Sequence, residues 1–564
     1  MNTFSKIVTD RHYVDQFAKD WDNKDSLQAG TLIRLIKVLC SEVDSKLSHS
    51  VVQILDERKY EALLDLSVSP LSYTDPLDFL KDSQILGLIK KYPYWDVSLD
   101  PRKEAMKTFI ACEIQCSKTN DEIYEGSLYS DPFVASVIRR AQRKIVKILS
   151  DVPTIAEIPF GFGPGSAFSV KTNTSVLSKL RSTLDVTPNC YGLASEMMED
   201  CPGWVDDYHD FNHGPHLPPR KRLNLIPGDR LAFVPKTAKT DRPICVNGIL
   251  NAVIQKGIGT LIRDKLKPTI DLRNAQSRHR RRARLSSANR EYCTIDLKSA
   301  SDTICYALVM ELLPWQWFTL LDKARSPRYM IEKEWYDYHK FSAMGNGYTF
   351  ELETLIFWSL SDSVREEMGV KGDVLVYGDD IIAPTICFDL INKVLTRCGF
   401  TFNDEKSFNT GPFRESCGGD YFNGIGVRPF ILKGHLSYRT LFLFHNYLCR
   451  NGFNFIFPKT FSFIRKVIGK RNCELFRGPD VEGDGHLVDI SLPISGYFSI
   501  LSRKTGHRSR KSYNFKKSHL LYKLMHRVDF FVKSAYIGSC TVNDPPEFDR
   551  KTRLRHKVTY KPLI

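Results

Sequence analysis

The sequence predicts an α+β protein of several domains, and three observations carry that expectation. At 564 residues the chain is too long for one compact core and should divide into roughly two to four domains or subdomains. Apolar positions at helical spacing recur through the first half, over 31–47, 132–149 and 251–267. Past the middle, the β-branched and apolar run 374–383 flanks Gly378-Asp379-Asp380 and reads as a hairpin whose turn carries adjacent carboxylates.

Composition narrows the partner. A hydrophobic content of 42% with 12% aromatic residues is that of a globular chain. Lys and Arg number 80 against 65 Asp and Glu, a formal charge of +15 that suits a polyanion. Charge alone does not separate RNA from DNA or from an acidic membrane. The 14 cysteines are scattered, with Cys112 and Cys116 the close pair and no CxxC, so neither a zinc site nor a disulfide framework is expected. A reducing cytosol fits that usage. The first twenty residues are charged throughout, against a signal peptide, and no apolar run approaches the ~18 residues of a membrane span.

In chain order, the 31–47 helix carries Leu32, Leu35, Ile36 and Leu39 as an ordinary packing face. Asp131 as cap and Pro132 as first residue open a stronger helix, with Val134, Val137, Ile138, Ala141, Ile145 and Leu149 on one face. Arg139, Arg140, Arg143, Lys144 and Lys147 line its other face, as a solvated stripe or a contact to phosphates. Gly161-Phe162-Gly163-Pro164-Gly165-Ser166 lacks the Lys-Ser/Thr ending of a phosphate loop and reads as tight turns. His209, His213 and His216 beside Asp206, Asp207 and Asp210 have metal-like spacing, but Gly214-Pro215 breaks any helix that would aim them together. A polar surface loop is the better reading. From Phe233 an extended segment offers Lys236, Lys239 and Arg242, suited to a triphosphate and equally to a basic surface turn. The 251–267 helix would hold it against a core. Arg278, Arg280, Arg281, Arg282 and Arg284 then form the densest positive cluster, expected to track a phosphate backbone unless it is merely solvated.

The carboxylates come next. Tyr292-Cys293-Thr294-Ile295 is a short β run that leaves Asp296 at a strand end, where it can meet a ligand. Asp302 follows in Ser-Asp context, where helix capping is the plain alternative. Gly345-Asn346-Gly347 opens the 351–367 helix with an exposed, flexible backbone able to approach a sugar or base. At the hairpin, Asp379 and Asp380 repel and raise each other's proton affinity unless a cation sits beside them. Taken singly this is a polar turn. Beyond the 388–397 helix, Lys406 stands among acidic neighbours and by itself reads as a surface ion pair.

In this order the segments resemble the motif succession of a template-dependent RNA polymerase, and most closely the replicase catalytic subunit of positive-strand RNA bacteriophages, the leviviruses. The resemblance rests on Val234-Pro235-Lys236, Asp241-Arg242, Ile295-Asp296-Leu297 with Ser299-Ala300-Ser301-Asp302, MGNGYTFELE from Met344, YGDDII from Tyr377 and GPFRESCG from Gly411. It covers roughly 230–430 clearly. It implies a right hand: N-terminal region and fingers over 1–280, an antiparallel-sheet palm over 281–435, and thumb and C-terminal region over 436–564. It implies two Mg²⁺ ions, with Mn²⁺ able to substitute, on Asp296, Asp379 and Asp380, Asp379 being the firmer ligand of the pair. Lys236, Lys239 and Arg242 would grip the nucleoside triphosphate, Asp302 and Asn346 would sense the ribose 2′-hydroxyl, and Lys406 would protonate pyrophosphate. The basic 503–517 tail would lie over a duplex. Partners implied are RNA template and product, host elongation factors Tu and Ts and a ribosomal protein, in the cytoplasm of an infected bacterium.

Two rivals stay open on sequence. A reverse transcriptase shares an aromatic-x-Asp-Asp turn, although Gly378 and Asn346 favour an RNA product. A non-catalytic RNA-binding or packaging protein would suit the basic clusters, yet gains nothing from three carboxylates in its channel.

Overall fold

A computed structural model describes residues 29–201 except 173, then 203–204, 223–475, 477–478, 480, 484 and 486–491, with the backbone of strands Tyr497–Lys504, His507–Asn514 and His556–Lys561. The first twenty residues, the 206–216 Asp/His stretch and the side chains of the 503–517 tail lie outside these. The chain forms two compact units: 1–67 with 81–98 and 429–564, and 68–80 with 99–428.

The first unit joins the two ends of the chain. Its expected 31–47 helix stops at Val43, because Ser45 starts a new helix, Lys46–Asp56, with a reciprocal capping box to Ser48. Glu42 accepts from the backbone N–H of Lys459 and Thr460 at 2.6 and 3.0 Å, at the start of helix Pro458–Ile468. An anion there meets the positive end of the helix dipole.

The second unit holds the chemistry. Helix α1 (Pro101–Tyr124) is followed by α2 (Pro132–Leu149), whose Asp131 side chain caps Phe133 and Val134 as the sequence predicts. Strands β1 (Asp229–Pro235) and β2 (Asp241–Val246) make a hairpin against α1, where Phe109 meets Leu231 and Cys245, and helix α3 (Ile249–Leu266) follows. Then come α4 (Ala275–Asn289), β3 (Tyr292–Ile295), the hairpin β4 (Arg328–Ile331) and β5 (Glu334–Asp337), and α5 (Thr349–Glu367). Strands β6 (Leu375–Tyr377) and β7 (Asp380–Pro384), helix α6 (Phe388–Arg397) and strands β8 (Phe413–Ser416), β9 (Gly419–Phe422) and β10 (Ile425–Gly426) complete it.

Besides a two-stranded parallel sheet of Asp185–Val186 with Asn224–Leu225, three sheets result: an antiparallel β3-β7-β6, a mixed β2-β1-β4-β5 and a small β8-β9-β10. The first is packed on α5, whose Leu352, Leu355, Ile356 and Leu360 are fully buried with Ile295, Val376 and Ile381 in one apolar core. The basic face of α2 divides: Arg139, Arg143 and Lys147 are exposed, whereas Arg140 and Lys144 are partly buried against α5. Lys144 pairs with Asp362 at 2.6 Å and Glu366 at 2.8 Å, and Arg140 with Glu367, all on α5. Charges on that face therefore clamp two core helices.

Candidate active site

The 374–383 run does form a hairpin, closed by the Tyr377–Asp380 pair with Gly378 and Asp379 between them. Gly378 has φ +62 and Asp379 has no positive φ, the pattern of a two-residue turn with glycine first. A side chain at 378 is excluded twice, since a Cβ there would lie 2.8 Å from the Phe350 ring. The Gly378 N–H donates to Thr354 Oγ1 at 2.9 Å, which seats the turn on α5.

Register then gathers the carboxylates. Ile295 pairs with Ile381 across β3 and β7, so Asp296 emerges beside Asp380 and the Asp379 turn. The segment that carries Lys406 holds Asp296, through two residues the sequence did not single out, Asn403 and Ser407. Asn403 Nδ2 donates to Asp296 Oδ2 at 2.7 Å, the Asp296 N–H donates to Ser407 Oγ at 3.1 Å, and Lys406 Nζ lies 3.9 Å from the same Oδ2. Asp380 is engaged differently: Ser416 Oγ donates at 3.3 Å and the Cys417 N–H at 3.2 Å, from the β8–β9 turn.

The electrostatics agree with convergence. Burial and then Asp296 raise the Asp379 carboxyl above its ordinary range; burial and then Asp379 push Asp380 up to about 6. Burial would lower Lys406, but Asp296 and further acids outweigh it and raise it. Glu353 on α5, which accepts from Ser301 Oγ at 3.4 Å, is raised well above its usual range by burial and then Asp379. That residue gave no signal in the sequence beyond the acid in MGNGYTFELE.

The other predicted residues divide. Lys236 and Lys239 sit in the β1–β2 hairpin loop, with Arg242 on β2. The Lys236 ammonium is lowered by burial and then by Arg242 and Lys406, while Asp296 and Asp302 oppose the shift. That loop thus shares a field with the carboxylates. Asp302 does not cap a helix: it ends a 3₁₀ turn, Ala300–Asp302, and takes Lys340 Nζ at 3.0 Å. Asn346 uses its amide inside its own loop, Oδ1 accepting from the Ala343 N–H at 2.9 Å and Nδ2 donating to Asn247 at 3.4 Å. Gly347 is required by close approach, as a Cβ would stand 2.6 Å from the Lys256 nitrogen of α3.

The arginine cluster lies on α4, and two of its members have structural partners. Arg282 pairs with Asp373 at 2.8 Å and stacks 4.2 Å over Tyr292, while Arg284 donates to the Gly424 carbonyl at 2.9 Å. Arg278, Arg280 and Arg281 are exposed.

Among the described residues, no three His, Cys, Asp or Glu side chains stand together as a ready metal cage. The donor set nevertheless fits a hard divalent cation: Asp379 is raised by burial and then by Asp296, and Asp380 by burial and then by Asp379, so the cluster gains from a cation beside it. Such a site handles the charge of a transferring phosphoryl group, and the protein class it defines is a nucleotidyl-transfer enzyme.

Comparison with known proteins gives the family. The RNA replicase beta-chain model matches residues 76–522, and the chain belongs to that family, an RNA-directed RNA polymerase of bacteriophages. It is 35% identical to the RNA-directed RNA polymerase beta chain of Enterobacteria phage GA, over 66% of this chain and 70% of that one. It is 36% identical to the beta subunit of Escherichia virus Qbeta over 65% of this chain and 61% of that one, short of two thirds of the Qbeta subunit. With the Enterobacteria phage fr beta chain the identity is 32%, over 78% and 80% of the two chains. A solved BmCPV RNA-dependent RNA polymerase at elongation state aligns over 42% of this chain and 26% of that one, at TM-score 0.29 and 11% identity, a likeness too slight to define the fold. The family sets aside the reverse transcriptase and the non-catalytic RNA-binding readings. No described helix is long and apolar enough to cross a membrane.

Proposed function

We propose that the second unit carries out template-dependent ribonucleotide transfer at Asp296, Asp379 and Asp380, in replication and transcription of a phage RNA genome. The observation that carries this reading is the β3–β7 register, which brings Asp296 beside the Asp379-Asp380 turn. Asp296 and Asp379 would hold Mg²⁺, joined by Asp380. Bound there, two such ions supply activation of the primer 3′-hydroxyl and neutralisation of the leaving pyrophosphate. The chain's own residues orient and neutralise. Lys236, Lys239 and Arg242 grip the triphosphate from the hairpin loop. Lys406, kept protonated by the acids around it, offers its Nζ proton to the departing phosphate. Asp302 and Asn346 read the ribose, with Asn346 exchanging its contact to Asn247 for the sugar.

In this reading the molecule is a right hand, with the three-stranded sheet as its palm and the C-terminal region as its thumb. RNA, nucleoside triphosphates, host elongation factors Tu and Ts and a ribosomal protein are its partners in the host cytoplasm. The test uses purified full-length protein with ribonucleotides and an RNA template, with and without host extract. Template-dependent incorporation that needs Mg²⁺ or Mn²⁺ and stops with chelator is the expected result. Incorporation indifferent to chelator, or a preference for deoxyribonucleotides, contradicts it.

A further inference from the structure

Lys340 is a buried cation of the second unit that the proposed mechanism leaves unused. Its side chain is 0% exposed and lies between two carboxylates, Glu113 Oε1 at 3.1 Å and Asp302 Oδ1 at 3.0 Å, whose side chains are 4% and 15% exposed. The Phe109 ring faces the ammonium at 3.6 Å. A lysine without water is held only by such partners. Burial alone would lower its proton affinity; Asp302 and Glu113 outweigh burial and raise it.

The arrangement is asymmetric. Glu113, on α1, is anchored away from the carboxylate cluster, its Oε2 accepting from the His339 N–H at 2.8 Å. Asp302 is the outward end, and its charge acts on Lys236 and on Glu353, both of which also respond to Asp296 or Asp379. Lys340 therefore stands behind Asp302, with the reacting groups in front.

Its backbone is fixed as well. Lys340 bridges Cys305, and the Phe341 N–H donates to the Ile304 carbonyl at 2.7 Å. Asn120 of α1 secures both strands of this contact, donating to the His339 carbonyl and accepting from the Ala307 N–H, each at 2.8 Å. Three residues further on, Ala343 gives its N–H to Asn346. One short segment thus ties the Asp302 carboxylate to the loop that carries Asn346.

We propose that Lys340, backed by Glu113, is a positioning residue for ribose selection, fixing the Asp302 carboxylate so that the 2′-hydroxyl of an incoming ribonucleoside triphosphate meets an acceptor already in place. The inference rests on the reading of Asp302 as a ribose contact. One oxygen of Asp302 is occupied by the ammonium, and the rotation of the carboxylate is thereby set. A site prearranged for a hydroxyl discriminates strongly against a substrate lacking it, and discrimination fades when the acceptor is free to turn.

The experiment measures kcat and KM for a ribonucleotide and its 2′-deoxy counterpart on one RNA template. Variants are Lys340→Met, Lys340→Met with Glu113→Gln, Asp302→Asn, and Lys340→Met with Asp302→Asn. The Lys340→Met/Glu113→Gln pair removes cation and anion together, so it decides the matter if Lys340→Met alone does not fold. We expect the ribo-to-deoxy ratio of kcat/KM to fall roughly tenfold in both Lys340→Met proteins, through a higher ribonucleotide KM. In the Asp302→Asn background Lys340→Met should change the ratio no further. A purely structural role would lower kcat for both sugars and leave the ratio intact, which overturns the inference. If Asp302→Asn lowers the ratio while both other Lys340→Met proteins keep it, the inference fails and the Asp302 reading survives. If Asp302→Asn itself leaves the ratio unchanged, both fall.

Discussion

The β1–β2 loop and helix α4 are both basic in sequence and differ in what surrounds them. Lys236 answers electrostatically to Arg242, Lys406, Asp296 and Asp302, so its segment faces reactive carboxylates. On α4, Arg282 is paired with Asp373, and Arg284 keeps its charge while donating to a carbonyl. Charge density along the chain says how many cations there are; neighbours decide which remain available to a ligand. In the proposed reading the contrast separates cations offered to substrate from cations that hold the sheet's back layer together.

The comparison can be broken by substitution. Lys236→Ala with Arg242→Ala should have the largest effect, raising the nucleotide KM by roughly one to two orders of magnitude with little change in RNA affinity. Steady-state kinetics beside an RNA filter-binding assay checks this, and a primary loss of RNA binding would merge the two regions again. Next, Arg280→Ser with Arg281→Ser should weaken RNA binding and lower its salt slope by about 1–2, with nucleotide KM unchanged. An unchanged slope across salt concentrations would remove α4 from the RNA channel altogether. The smallest effect on function belongs to Arg282→Ala: a loss of about 1–2 kcal/mol in stability, from the Asp373 pair and the Tyr292 stack, with the RNA salt slope preserved. Denaturant unfolding and the same binding series would measure both halves of that statement.

Much of the second unit is legible in sequence because its signals are local. The Asp131 cap, the α5 and α6 helices and the Gly378 turn each depend on residues within a few positions. Asp296 at a strand end and Asp379 in a turn are likewise local facts, and the family supplies their order. What stayed hidden is long-range. Asn403 and Ser407 hold Asp296 through a loop with no periodicity to announce it. Lys340 shows in sequence as one more lysine, since its burial depends on α1 supplying Glu113 and Phe109. The basic stripe on α2 read as a solvated face or a contact to phosphates, because Asp362, Glu366 and Glu367, the partners of Arg140 and Lys144, lie far along the chain. The joining of both chain ends in one unit left no local trace either: Glu42 became a helix-capping anion only through residues more than four hundred positions away.

The central claim is that the turn carboxylate Asp379 belongs to the reacting centre and is not merely a polar turn residue. Single-turnover ribonucleotide incorporation on a primed RNA template by Asp379→Asn, with RNA affinity and thermal unfolding measured on the same preparation, tests it. The account predicts a fall in incorporation of roughly two or more orders of magnitude with binding and stability close to those of the unaltered protein. Incorporation near the unaltered rate would contradict it.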